Sequence, residues 1–208
     1  MIYLFSDKAY EGVVHLPLFE IVFDPTPIDL EGFDAVIFTS KNSVKALERC
    51  GASWQDKDAY AIGEGTATFI QNCGGNLVFT CKRSYGDEFA KAVIPLVEGK
   101  KIFFPRAKEV ASSLFDILRA NKIDIEQRIV YETKCIHYPL TKAPVKEAKL
   151  IFTSPSTVHC FLENFAWDES YSAIVIGEKT ASALPQNVKI TVSQTQSIEH
   201  CIALAKAL

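Results

Sequence analysis

Two short patterns return in this chain at one fixed spacing. Ile37-Phe38-Thr39-Ser40 recurs as Ile151-Phe152-Thr153-Ser154, and Ile62-Gly63 followed by Thr66-Ala67 recurs as Ile176-Gly177 followed by Thr180-Ala181, each 114 residues later. Two matches at one offset indicate a duplicated unit. Each copy contributes two strand ends and two helix starts bearing small hydroxyl residues, so the copies are expected to face each other across a cleft that holds a ligand.

The rest of the pattern agrees with a duplicated α/β unit. Apolar strands are predicted at 2–5, 18–23, 35–38, 59–62 and 77–79, with helices over 42–49, 66–72 and about 87–97. A second round follows, with strands at 101–104, 128–131, 149–152, 173–176 and 189–192 and helices over 109–120, 157–164, 180–184 and 198–207. Strands alternating with amphipathic helices across short loops give parallel sheets covered by helices. The expected fold class is α/β, with two doubly wound parallel-sheet domains related by internal duplication. With 208 residues at 48% apolar content, the chain can fill two cores of roughly 100 residues each.

The copies differ at one place. Ile2 to Phe19 spans 17 residues, whereas Ile102 to the equivalent Tyr131 spans 29. The first copy therefore lacks about three helical turns, and Ala9 to Val14 reads as a loop that leaves one sheet face or edge thinly covered. Leu18–Phe23 and Arg128–Cys135 are extended and precede the breaker-rich stretches Pro25-Thr26-Pro27 and Pro139 to Pro144, which marks them as candidate interdomain connections.

Several classes of function are disfavoured. No apolar run is long enough to cross a bilayer and no signal-peptide pattern opens the chain, so a cytoplasmic protein is expected, with no membrane partner. The net charge is −3 and no block of Lys or Arg occurs, so no nucleic acid is expected either. Cys50, Cys73, Cys81, Cys135, Cys160 and Cys201 are scattered without C-x-x-C or finger spacing, which reads as reduced, mostly buried thiols rather than disulfides, with no metal site. Nothing suggests an oligomer interface, and a monomer is expected.

Four strand ends carry the candidate ligand contacts. Thr39, Ser40, Lys41, Asn42 and Ser43 follow one strand, and Thr153, Ser154, Pro155, Ser156 and Thr157 follow its copy. Gly63 and Thr66, and Gly177, Lys179 and Thr180, repeat the arrangement one strand later. Singly, each stretch is most simply a capped helix. Four of them paired by duplication at the carboxyl edge of parallel strands favour an anion site built on helix N-termini. Arg106 stands at another strand end, placed to pair with a carboxylate or with Glu109.

No dinucleotide fingerprint, Walker lysine or nucleophile elbow is present, and none of His15, His137, His159 and His200 belongs to a defensible triad. Asp7 after the first strand lacks the acidic pair and late lysine of a phospho-receiver. Tyr131 differs in kind, because a phenol protonated at neutral pH both donates and accepts a hydrogen bond and can assist a leaving oxygen. Its counterpart is Phe19, so the alternative is a plain strand aromatic.

The paired Phe38-Thr39-Ser40 and Phe152-Thr153-Ser154-Pro155-Ser156, the two Ile-Gly-x-x-Thr-Ala stretches and Val130-Tyr131-Glu132-Thr133 together resemble the uroporphyrinogen-III synthase family over nearly the whole chain. The departure is Ser6-Asp7-Lys8, where the family has an arginine after its first strand and a full helix; Lys8 is the candidate substitute. The resemblance implies one domain from residues 1–14 and 138–208, another from 24–128, and a two-stranded connector of 15–23 and 129–137, each copy having exchanged its first strand. It further implies a cofactor-free cyclising lyase acting on hydroxymethylbilane. Ring A would lose its hydroxyl as water and ring D would invert through a spiro intermediate, with Tyr131 assisting departure of hydroxide. Thr39, Ser40, Lys41, Asn42, Ser43, Gly63, Thr66, Arg106, Ser154, Ser156, Gly177, Lys179 and Thr180 would bind the substrate. The rival from another class is a non-enzymatic two-lobed binding protein for a small anion.

Overall fold

A computed structural model describes residues 1–81, 86–110 and 112–208 of the chain. In chain order the elements are β1 (Ile2–Phe5), β2 (Val14–His15), β3 (Phe19–Phe23), β4 (Ala35–Phe38), α1 (Lys41–Arg49), β5 (Asp58–Ile62), α2 (Glu64–Asn72) and β6 (Asn76–Cys81). There follow α3 (Gly86–Val97), β7 (Lys101–Ala107), α4 (Leu114–Ala120), β8 (Asp124–Cys135), β9 (Lys149–Phe152), α5 (Pro155–Asn164), β10 (Ser172–Val175), α6 (Glu178–Ala181), β11 (Lys189–Val192) and α7 (Ile198–Ala207). No helix of the described residues is long and apolar enough to cross a membrane.

The chain divides into two compact units, Met1–Glu20 with Lys134–Leu208, and Ile21–Thr133. Each is built on its own sheet, one ordered β11-β10-β9-β1-β2 and the other β3-β8-β7-β4-β5-β6. The α/β class read from the alternation is what the structure has, and the strands within each sheet's body pair in parallel. At the edge of the six-stranded sheet, Asp24 N–H donates to the Val130 carbonyl and Ile136 N–H to that of Leu18, so β3 and β8 run in opposite directions. β8 is continuous from Asp124 to Cys135, so the connecting segment begins within a sheet strand rather than after one.

Strand alternation sorts the second unit's core to two faces. Val36, Phe38, Ala59, Ala61 and Phe103 pack with Val44 and Leu47 of α1 and Ile70 of α2. Ala35, Ile37, Tyr60, Ile102 and Phe104 pack on the other face with Phe89 and Val93 of α3 and Leu114 and Leu118 of α4. Burial on both faces is why β4 reads as an unbroken apolar run. Each fully buried Leu, Ile or Phe of this kind contributes roughly 1.5–3 kcal/mol. In the first unit, Phe5, Phe152 and Val175 meet Val158 and Phe161 of α5. Its other face holds Leu4, Ile151 and Ile174 under α7 alone, with Tyr10 and Val13 at the margin. Leu4, Ile151 and Ile174 are nonetheless fully buried, and Val14 pairs with Tyr3 at the sheet edge, so the shortened stretch, expected to leave a face or edge thinly covered, does not bare this face.

Two local expectations are corrected. Cys135 and Cys160 form a disulfide, Cα to Cα 5.2 Å, rather than remaining thiols; Cys50, Cys73 and Cys81 are half-buried thiols and Cys201 is a buried one. The pairing joins residues 25 apart that the fold brings together, which spacing alone does not reveal. The helix expected from Glu109 starts at Leu114; Ala111 lies outside the described residues. Strand pairing wins at the start of that segment, because β7 runs on to Ala107 and the Lys108 N–H donates to the Tyr131 carbonyl at 2.9 Å. Pro105 is tolerated in β7 because the β4 register ends at Phe103, so its missing N–H deprives no β4 partner.

Candidate functional site

The repeated strand ends occupy equivalent places in the two units. Phe38 of β4 lies beside Ala61 of β5, and Phe152 of β9 beside Val175 of β10, so each Thr-Ser pair emerges next to an Ile-Gly turn. Ser40 caps α1, its hydroxyl accepting from Asn42 N–H at 3.1 Å. Ser154 caps α5 in a reciprocal box with Thr157, and Pro155 opens the helix. Thr153 Oγ1 donates to the Phe5 carbonyl at 2.8 Å and ties β9 to β1. The two glycines of the repeat sit there for different reasons. Gly63 has φ 78°, a left-handed conformation that favours glycine, whereas Gly177 at φ 177° is extended backbone open to any residue.

Accessibility divides the expected contacts. Lys41, Ser156 and Lys179 are exposed, and Thr39, Ser40, Asn42, Gly63, Arg106, Ser154 and Gly177 are half-buried. Ser43, Thr66 and Thr180 are buried, so their hydroxyls serve the packing beneath the helix starts. Ser43 Oγ has no hydrogen-bond partner among the described residues. The Lys41 ammonium reaches across to α2 and lies 3.7 Å from where a Gly65 side chain would begin, joining the β4 and β5 ends. Arg106 binds neutral groups instead of Glu109. Its Nε donates to Gln127 Oε1 at 2.8 Å and its Nη1 to the carbonyls of Ala107 and Lys108 at 2.8 and 3.0 Å.

Tyr131 is aimed by an irregularity in its strand. The register of β7 on β8 moves from Arg106 opposite Ile129 to Ala107 opposite Tyr131, so β8 carries one extra residue at this point. Such bulges re-aim side chains beside functional sites. The ring is buried at 8% exposure, tilted against Phe23 with centroids 6.2 Å apart, and Arg49 lies 4.2 Å over the other member of that pair. The phenol makes no hydrogen bond among the described residues and lines a cavity of about 280 Å³ with Phe23, Asp24, Lys108 and Glu132.

Those charged neighbours are not legible in the sequence as site residues. Lys108 Nζ donates to Glu132 Oε2 at 3.0 Å. Asp24 Oδ1 accepts from the Thr26 hydroxyl at 2.6 Å and from Thr26 N–H at 2.9 Å, which hold its carboxyl below the usual carboxylate range. The Asp-x-Thr turn before Pro27 is the one available signal, and it marks a turn rather than a site. A larger open cavity of about 550 Å³ near Asp29, Glu31 and Lys57 includes none of the expected residues. Chemically, the Tyr131 cavity offers a proton donor beside fixed charges, and the strand ends offer ammonium groups and helix N-termini for carboxylates.

The family model for uroporphyrinogen-III synthase HemD matches residues 7–203. A crystal structure of uroporphyrinogen-III synthetase from Helicobacter pylori is 33% identical, covering 99% of this chain and 98% of that one at a TM-score of 0.84. A mutant uroporphyrinogen III synthase from the extremely thermophilic bacterium Thermus thermophilus shares the fold at 14% identity and a TM-score of 0.62, covering 99% of this chain and 97% of that one. No curated protein matches significantly.

Proposed function

Since the chain belongs to the uroporphyrinogen-III synthase family, and is therefore a cyclising lyase of tetrapyrrole biosynthesis, we propose that it closes hydroxymethylbilane mainly by positioning, with Tyr131 as the one residue that moves a proton. Support comes from a single observation: a nearly buried phenol with no hydrogen-bond partner among the described residues lines a cavity. An unpaired phenol at the wall of a cavity is free to donate its proton to a ligand there.

The Tyr131 hydroxyl donates to the departing oxygen of the ring A hydroxymethyl group. The C–O bond breaks with its electron pair on oxygen, water leaves, and an azafulvenium cation remains. The substituted carbon of ring D attacks it to give a spiro intermediate, which fragments and recloses at the free carbon of ring D. The proton displaced at reclosure returns to the phenolate. Unassisted closure gives isomer I, so the protein's task is to present the hindered carbon first, which is an orientational effect. Lys41, Asn42, Ser156 and Lys179, with the first-turn N–H groups of α1 and α5, grip acetate and propionate groups. The half-buried Thr39, Ser40, Gly63, Ser154 and Gly177 shape those turns, and Arg106 braces the loop after β7. The chain acts as a cytoplasmic monomer.

The test is incubation with freshly generated hydroxymethylbilane, oxidation and chromatographic separation of the porphyrin isomers. Isomer III is expected to dominate with wild type. A Tyr131→Phe chain that retains the wild-type rate removes the proton-transfer role.

A further inference from the structure

The cavity that Tyr131 lines carries two carboxylates, Asp24 and Glu132, and one ammonium, Lys108. Among the lining residues, Lys108 pairs with Glu132 across 3.0 Å, and the second carboxylate, Asp24, has its cation, Arg128, outside the lining at 3.8 Å. Asp24 is fixed firmly for a residue at a strand end. Its backbone N–H donates to Val130, the residue next to Tyr131, and Oδ1 is occupied by the two bonds from Thr26. Among the described residues, Oδ2 has only Arg128 nearby, with Nη2 at 3.8 Å, and Arg128 commits Nη1 to the Pro27 carbonyl at 3.3 Å. Asp24 thus lines the cavity with one oxygen held by Thr26 and the other in only a long ion pair with Arg128.

We propose that Asp24 is a further catalytic residue, its Oδ2 stabilising the cation formed when hydroxide leaves ring A; this rests on the Tyr131 reading. When the C–O bond breaks, the oxygen takes both electrons and the phenol proton, and the positive charge spreads from the methylene carbon onto the ring A nitrogen. The substrate's side chains are carboxylates and gain nothing from another carboxylate at Asp24. The reacting carbon alone becomes more attractive to it as charge develops, so Asp24 favours the transition state over the bound substrate. A substrate that displaces water from the cavity strengthens that attraction.

The experiment compares Asp24→Asn, Asp24→Glu, Arg128→Gln and Tyr131→Phe in the full chain, by steady-state kinetics on hydroxymethylbilane, with Tm as the check on folding. Asp24→Asn is expected to lower kcat on the order of 10- to 100-fold with KM unchanged or lower, and Asp24→Glu to recover most of the rate. Arg128→Gln keeps the carboxylate and removes its nearest cation, so kcat should hold or rise; this variant tests the proposal even if Asp24→Asn fails to fold. Wild-type kcat in Asp24→Asn, equal losses in the Asn and Glu variants, or a matching fall in Arg128→Gln overturns the assignment. A slow Asp24→Asn beside a wild-type Tyr131→Phe upholds the carboxylate and discards the phenol.

Discussion

The Lys41 ammonium lies 3.7 Å from the point where a side chain on Gly65 would begin, so the charge that starts α1 hangs over the first turn of α2. One cation thereby serves two helix N-termini, and both favour an anion in the same place. Removing it in Lys41→Ala should raise KM for hydroxymethylbilane several-fold with kcat and Tm unchanged, since the side chain is exposed. For the same reason kcat/KM should fall as salt rises. A flat salt profile would remove the electrostatic part of substrate capture.

Tyr131→Phe should keep the fold, because the ring's packing against Phe23 survives, while kcat drops by about 10²-fold. Residual activity is expected, since positioning supplies the remainder. Stopped-assay isomer analysis should still show isomer III in excess.

Gly75 has no room for a methyl group. A Cβ there would fall 2.3 and 2.6 Å from ring carbons of Trp54 and 2.9 Å from Ile70 Cγ2. Trp54 is fully buried and its Nε1 donates to Glu48 at 2.7 Å, so it has little freedom to retreat. Gly75→Ala should destabilise the chain by about 1–3 kcal/mol, read as a lower urea midpoint.

Reduction should weaken the first unit. The Cys135–Cys160 bond closes a segment of 25 residues, for which chain entropy gives roughly 3 kcal/mol of stabilisation. Thiol titration of the denatured, unreduced chain should count the four cysteines outside the bond, and Tm should drop on adding reductant or in Cys160→Ser. Titration of all the cysteines before reduction would refute the bond.

Acid stability follows from carboxylates held below their usual range. The Ser170 hydroxyl, then its N–H, lowers Asp168, and the Ser197 hydroxyl acts first on Glu199. A folded value below the unfolded one means that the stabilisation is complete above the unfolded value, 3.8 for Asp168, and is lost as pH falls through the folded value. Tm should therefore be flat down to about pH 5 and fall below it, and Asp168→Asn should make that fall shallower. An unchanged slope would show that Asp168 contributes nothing.

Local features are legible in the order of the residues alone. Alternation and periodicity carry their own signal over a few residues, so β1, β4, β9, β11 and α7 have the predicted limits. Ser40 and Ser154 are legible as caps because a cap bonds within its own turn. The 114-residue repeat likewise announced two sets of strand ends. Tertiary structure decided whatever depends on partners distant in the chain. Pairing with β7 extended β8 back to Asp124 and inserted the bulge that aims Tyr131, and folding brought Cys135 to Cys160. It also buried Ser43, Thr66 and Thr180 among residues expected to meet substrate, and set Asp24 beside the Tyr131 cavity. Register and burial depend on which strand lies next to which, and no stretch of sequence read alone contains its neighbour across the sheet.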